Sequence, residues 1–168
     1  TFINPDVSNT NTNGTAYAAI AFGEAGGDMT IENVAFINPT VTATSSPNLA
    51  VCGSMIGVIA SSSGNPADVQ IKNCISYGGT FTSSSSSAGA AIGGFVGTFA
   101  NNTLATLSTC EIIDATFNTS CPTGSEASIG GFFGVMFYAT PGTSMTFNDC
   151  RNEGMRFDHG ASNAPKIG

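Results

Sequence analysis

Apolar and polar residues alternate with a period of two along much of the chain, as in Asp68-Val69-Gln70-Ile71-Lys72. Successive side chains of a strand face opposite sides, so this pattern predicts strands with one buried and one solvated face. Clusters of Gly, Pro, Asn and Ser punctuate it, which is turn chemistry rather than helix chemistry. The pattern also recurs about every 38 residues. Written from a shared anchor, the copies are TIENVAFINPTVTAT from Thr30, QIKNCISYGGTFTSS from Gln70, TLSTCEIIDATFNTS from Thr106 and TFNDCRNEGMRFDHG from Thr146. Val34, Cys74, Cys110 and Cys150 share one column at spacings of 40, 36 and 40, so length changes belong to loops. The opening Phe2-Ile3-Asn4-Pro5 repeats Phe36-Ile37-Asn38-Pro39. A second block follows each anchor and ends at Gly23, Gly57, Gly97 or Gly134, and a fifth copy of it begins at Ile167.

The chain of 168 residues therefore divides into a partial repeat over 1–29, repeats over 30–69, 70–105 and 106–145, and a partial repeat over 146–168, or about 4.4 units. With no initiator Met and no signal peptide, it is expected to be a segment of a longer protein. Each repeat shows two or three runs with strand character. Val7, Val41, Phe81, Phe117 and Phe157 align across five units. Asp6, Thr40, Thr80, Thr116 and Arg156 flank them on one side, and Ser8, Thr42, Thr82, Asn118 and Asp158 on the other. Identical positions stacked at a fixed period predict an all-β fold, a parallel β-solenoid (β-helix) of about 4.4 coils, with the apolar column inward. A propeller would need four strands per blade and its Trp-Asp signature, and the chain has no Trp. In the glycine block, residues 93, 95, 97 and 99 read Gly, Phe, Gly, Phe. As a single strand this alternates small and large side chains on one face and carries apolar residues on the other, which predicts cover on both sides. The cover is expected from a loop or from another protomer, and the strand is a candidate lateral contact surface for assembly.

IGGFVG at 92–97 and IGGFFG at 129–134, each followed by a polar loop and a strand carrying Cys, resemble GLUG-type repeats of extracellular solenoid proteins. The resemblance spans nearly the whole chain, and it implies a surface protein, adhesin or fibre component rather than an activity. The first unit departs from it, because AAIAFG lacks the paired Gly and Val34 stands in the Cys column.

Composition narrows the function classes. The 41% hydrophobic content supplies a core, but only 9% of residues are charged, and 39 Ser and Thr with 15 Asn make up most of the polar surface. A net charge of −7 with Lys72, Arg151, Arg156 and Lys166 as the only cations argues against nucleic acid as a partner. No apolar run approaches the ~20 residues of a membrane span. One His and scarce cations leave little material for acid/base or metal chemistry, so no catalytic, cofactor-binding or metal site is expected.

Five cysteines, Cys52, Cys74, Cys110, Cys121 and Cys150, are disulfide candidates. Stacked rungs about 4.8 Å apart fit the Cα separation of a disulfide, so neighbours in the Cys74, Cys110, Cys150 column are able to bridge. They equally suit a ladder of small buried side chains. Cys52 and Cys121 are candidates to pair with a column member, and an odd thiol remains in any scheme. Three N-x-S/T acceptors mark Asn13, Asn101 and Asn118 as glycosylation candidates. Residues 83–87, residues 61–63 and Thr42, Thr44, Ser45 and Ser46 offer hydroxyls for O-linked sugars. Together these features point to an extracellular or cell-surface protein.

Enzyme, ion-binding and ice-binding readings fare poorly. Glu111, Asp114, Arg151, Glu153, Arg156 and Asp158 are the one concentration of charge, and they suit surface pairing better than the catalytic carboxylates of a polysaccharide-degrading β-helix. Arg151 is expected over Glu111, and Lys72 over Glu32. Asp28 and Asp68 sit at equivalent positions, without the alternating acidic run of a calcium loop. Outward threonines hint at an ice-binding face, but Asp6, Arg156 and Asp158 interrupt it. The favoured expectation is a non-enzymatic building block of an extracellular filament or fibril, glycosylated and stacking end to end on copies of itself or on neighbouring repeats of its parent chain. The alternative is an adhesin or glycan-binding module that uses Tyr17, Tyr77 or Tyr138 as stacking groups.

Overall fold

The computed structural model describes residues 1–60, 66–99, 102–136, 143–160 and 166–167. Every element is a strand, and all strand pairs are parallel, between equivalent positions of successive repeats. The result is a β-solenoid of about four turns with five sheets as its faces. Face I holds Met29–Glu32, Ala67–Lys72, Thr103–Ser108 and Ser144–Asn148. Face II holds Phe2–Ile3, Ala35–Ile37, Ile75–Tyr77, Glu111–Ile113 and Arg151–Glu153. Face III holds Asp6–Asn11, Thr40–Ser45, Thr80–Ser85, Thr116–Ser120 and Arg156–His159. Face IV holds Ala16–Ala18, Ala50–Cys52, Ala90–Gly93, Ala127–Gly130 and Lys166–Ile167, and face V holds Phe22–Ala25, Ile56–Ile59, Val96–Phe99 and Phe133–Met136.

The register reproduces the sequence columns residue for residue. Thr30, Gln70, Thr106 and Thr146 pair in turn on face I. Val7, Val41, Phe81, Phe117 and Phe157 do so on face III. Val41, Phe81 and Phe117 are fully buried, and removing each such side chain from water contributes about 1.5–3 kcal/mol. The Phe81 and Phe117 rings meet edge to face at 5.2 Å, and Phe117 continues to Phe157 at 5.7 Å.

Each coil has five strands rather than two or three. Two of the additional breaks are two-residue corners that carry a residue in the left-handed region, which turn the chain sharply without disturbing the alternation that sequence shows. One corner, between faces I and II, is made by Asn33, Asn73, Thr109 and Asp149, with φ of 59°, 50°, 54° and 52°. A second, between faces II and III, is made by Asn4, Asn38, Gly78, Asp114 and Gly154. Asn and Asp tolerate this conformation because their short polar side chains bond locally. At the second corner glycine alternates with a longer residue: the Asn38 side chain occupies the space a Cβ on Gly78 would need, and Asp114 does the same for Gly154.

The glycine block corrects a second expectation. Residues 90–99 form two strands, Ala90–Gly93 and Val96–Phe99, joined by a tight corner at residues 94–95. Backbone carries the corner. Phe95 N and Val96 N both donate to Phe132 O at 2.9 Å, and the Phe95 and Phe132 rings stack at 5.8 Å. A Cβ on Gly53 would lie 2.6 Å from Ile56 O and 2.8 Å from both Gly97 N and Phe95 O, so glycine is required by close backbone approach. The strands at Ala50–Cys52, Ile56–Ile59, Ala90–Gly93 and Val96–Phe99 are buried at every position. Cover on both sides is thus present, and face V supplies part of it: Gly57 lies against Tyr17 Cβ on face IV. Being buried, this strand pair is not the lateral contact surface expected for it.

Candidate functional site

The largest unsatisfied surfaces lie at the two end coils, where the core columns stop. At one end Phe2 is 53% exposed and Phe22 41%; at the other Phe147 is 46% exposed, with Met155 and Phe157 half-buried. Interior members of the same columns, such as Phe36 and Leu107, are buried. The five outermost strands at one end, one per face, have five same-face counterparts at the other. Polar groups follow the same columns. Asp6, Thr40, Thr80, Thr116 and Arg156 form one outward column, so opposite charges stand at its two ends. His159 ends the column that begins at Asn9. Its Nδ1 is 2.9 Å from Thr119 Oγ1, while its Nε2 is buried and without a hydrogen-bond partner among the described residues. These end complementarities escaped the sequence reading, although the column alignment contained them.

The outer side of face III presents hydroxyls and an amide in register, with Thr40, Thr42, Thr80, Thr82, Thr116 and Asn118 at its centre. Of the proposed sugar acceptors, Asn13 is exposed in the turn between Asp6–Asn11 and Ala16–Ala18, and Asn118 is half-buried within its strand. Asn101 and residues 61–63 lie outside the described residues. The serine run divides in two. Ser83 and Ser85 point inward and donate to Ala50 O at 2.8 Å and Asn48 O at 2.7 Å, and Ser87 Oγ donates to Pro47 O. These three hydroxyls tie this coil to the preceding one and are not free acceptors for O-linked sugars.

The tyrosines do not converge: Tyr17 is on face IV, half-buried, and Tyr77 is exposed on face II. Tyr138 lies outside the described residues. Sequence reasoning also missed the column Ile3, Ile37, Tyr77, Ile113 on the outer side of face II, an apolar stripe visible in the alignment at the third position after the Cys column.

Two solvent-exposed ion pairs form among the described residues. Lys72 Nζ lies 3.9 Å from Glu32 Oε1, as the column alignment predicts. Arg151 stacks in register with Glu111, but its guanidinium pairs with Glu153, two residues along the same strand, because i and i+2 share a face. Asp28 Oδ1 accepts from Asp68 N at 3.0 Å, so that carboxylate caps a neighbouring rung. Among the described residues no group of three His, Cys, Asp or Glu side chains is arranged to hold a metal ion. No helix of the described residues is long and apolar enough to cross a membrane.

All five cysteines are free thiols. Those of the column repeat one arrangement, each bonding the carbonyl two residues back and one on the preceding rung. Cys74 Sγ donates to Lys72 O at 3.1 Å, Cys110 Sγ to Ser108 O at 3.3 Å and Cys150 Sγ to Asn148 O at 3.4 Å. The hydrogen bond between the Cys74 and Cys110 side chains pulls Cys74 down to about 7, and it holds Cys110, further disfavoured by burial, well above the usual thiol range. Cys52 lies in the core on face IV, and Cys121 in a separate small cluster with Ala90 and Ala127. Burial pushes both thiols up. Cys121 is thus set apart from the core that holds Cys74 and Cys110, whereas Cys52 shares that core with them.

No protein-family model matches the chain, and comparison with characterised proteins and solved structures likewise yields no match.

Proposed function

We propose that the chain is a structural building block of an extracellular or cell-surface filament, glycosylated and assembling end to end through its coil edges. The complementarity of the two end coils carries this reading. If a second unit stacks in the register of the existing columns, Phe157 falls over Val7 and Arg156 over Asp6. The same step places His159 over Asn9. It also covers the exposed Phe2. Unpaired parallel edges with apolar ends add further strands unless blocked, and repeat arrays need polar caps to stay apart. The stacking unit is a second copy or a neighbouring repeat of a parent chain. The GLUG-type resemblance, the low charge and the exposed Asn13 acceptor support the extracellular setting. The exposed pairing of Lys72 with Glu32 and of Arg151 with Glu153 supports a surface role for those charges rather than a catalytic one.

A charge swap tests the assembly. Asp6→Arg and Arg156→Asp each place like charges at the junction and are expected to raise the critical concentration for assembly roughly two- to thirtyfold, given ~0.2–1 kcal/mol for an exposed pair and a similar penalty for its reversal. The double variant restores an opposite-charge junction and returns the value toward that of the original chain. Sedimentation velocity over a concentration series reads the result. Single variants that assemble like the original, or a double variant no better than the singles, would overturn the end-to-end register.

A further inference from the structure

We infer that the Cys74, Cys110, Cys150 column is a site of two-electron oxidation, in which a low-molecular-weight disulfide enters at Cys150 and the reaction ends in a single Cys74–Cys110 bridge. The inference concerns the unassembled chain, in which the coil that carries Cys150 is the outermost one. The three residues occupy consecutive rungs of one parallel ladder: Glu111 N donates to Cys74 O and Arg151 N to Cys110 O, both at 2.9 Å. Rungs about 4.8 Å apart lie inside the ~4.4–6.8 Å Cα separation that a disulfide spans. Sulfurs stacked this way stand in a row, the arrangement that thiol–disulfide exchange requires of its attacking, central and leaving sulfurs.

Access differs along the column. Cys74 and Cys110 are buried, and Cys150 is half-exposed. An outside disulfide such as oxidised glutathione therefore meets Cys150 first. The Cys150 thiolate attacks one sulfur of that disulfide and releases glutathione as a thiolate. Cys110, deprotonated as it attacks, displaces the second glutathione from the mixed disulfide and forms Cys110–Cys150. Cys74 then attacks the Cys110 sulfur, forms Cys74–Cys110 and returns Cys150 as a thiolate. In sum two protein thiols lose two electrons and two protons, and one molecule of oxidised glutathione becomes two of the reduced form. The endpoint removes two thiols from the core and leaves the third where water solvates it, which makes the inner bridge the stable one.

The test uses the full reduced chain, incubated with oxidised glutathione, quenched in acid and mapped by proteolysis without reduction and mass spectrometry. The expected endpoint is one intrachain disulfide joining the Cys74 and Cys110 peptides, with Cys150 open to alkylation. Cys150→Ser, at a half-exposed position, should leave the unfolding temperature of the reduced protein unchanged and slow bridge formation at least tenfold. A glutathione adduct that persists on Cys150, an endpoint of Cys110–Cys150, a bridge to Cys52 or Cys121, or Cys74 and Cys110 still open to alkylation after unfolding would each overturn the inference. So would a Cys150→Ser chain that oxidises as fast as the original.

Discussion

The corner between faces IV and V makes a steep demand on one residue type, and Gly53→Ala probes it. A methyl group at Gly53 would meet Ile56 O at 2.6 Å and Gly97 N and Phe95 O at 2.8 Å. All three are backbone atoms, and two belong to the next coil, so relief requires coils to move apart rather than a side chain to rotate. Overpacking of this kind costs about 1–3 kcal/mol, and a clash with backbone alone falls at the upper end. Against this stands the ~0.4–1 kcal/mol that alanine gains over glycine by restricting the unfolded chain. The net expectation is a loss of about 2–3 kcal/mol, or a fall in unfolding temperature of roughly 4–12 °C for a chain of this length. Gly27→Ala is the control, because a Cβ there meets nothing within 4 Å. Only the unfolded-state effect then operates, and the melting temperature should hold or rise by roughly 1–4 °C. Differential scanning calorimetry on the three reduced proteins reads both shifts. A Gly53→Ala chain melting within about 2 °C of the original, or a Gly27→Ala chain equally damaged, would refute the close-approach account.

Three further outcomes follow from the same coordinates. Thr109 holds φ of 54° at an exposed corner where the equivalent residues are Asn33, Asn73 and Asp149; Thr109→Asn relieves a β-branched residue of that conformation and should raise stability by about 1 kcal/mol in urea titration. Ser76 is buried between Phe36 and Ile112 with its hydroxyl unpartnered among the described residues, so Ser76→Ala removes a desolvated polar group and should stabilise by about 1 kcal/mol, with a loss contradicting the assignment. The reduced protein should also be alkali-sensitive. Cys52 stays protonated in the fold well above the 9.0 at which the unfolded chain ionises, so the native state binds more protons above that pH. Stability then falls by about 1.4 kcal/mol per pH unit for each such thiol. Cys110 and Cys121 act in the same direction, whereas Cys74, lowered to about 7, adds stability as pH rises from about 7 to 9. Urea midpoints should decline above about pH 9, and Cys52→Ala should make that decline shallower; an unchanged slope would contradict the burial of that thiol.

Much of the architecture was legible in sequence because a solenoid writes its spatial neighbours as equivalent positions of a repeat. The Val7 to Phe157 column and the Thr30 to Thr146 column gave the ladder register directly. The corners were hidden, since a single Asn or Asp at positive φ bends the chain while the apolar alternation runs on through it. The Gly93 to Phe99 segment misled for the opposite reason: its alternation of Gly and Phe reports a tight corner, where glycine answers to backbone contact rather than to strand pleating. Side-chain choices were the least legible. Arg151 has acidic groups both across the ladder and along the strand, and sequence does not say which it takes. The inward turn of Ser83 and Ser85 within a polar run is a matter of strand phase, which a run of five serines conceals. The end complementarity of Asp6 with Arg156 was present in the alignment and becomes meaningful once the column is known to be an outward ladder.

The central claim is that the coil continues across unit boundaries, and electron microscopy of the purified chain with fibre diffraction tests it directly. Continuous stacking predicts unbranched rods one solenoid wide, with an axial reflection near 4.8 Å from coils perpendicular to the rod axis. Monodisperse particles of 16.9 kDa or their glycosylated mass, showing no rods at concentrations well above micromolar, would contradict it.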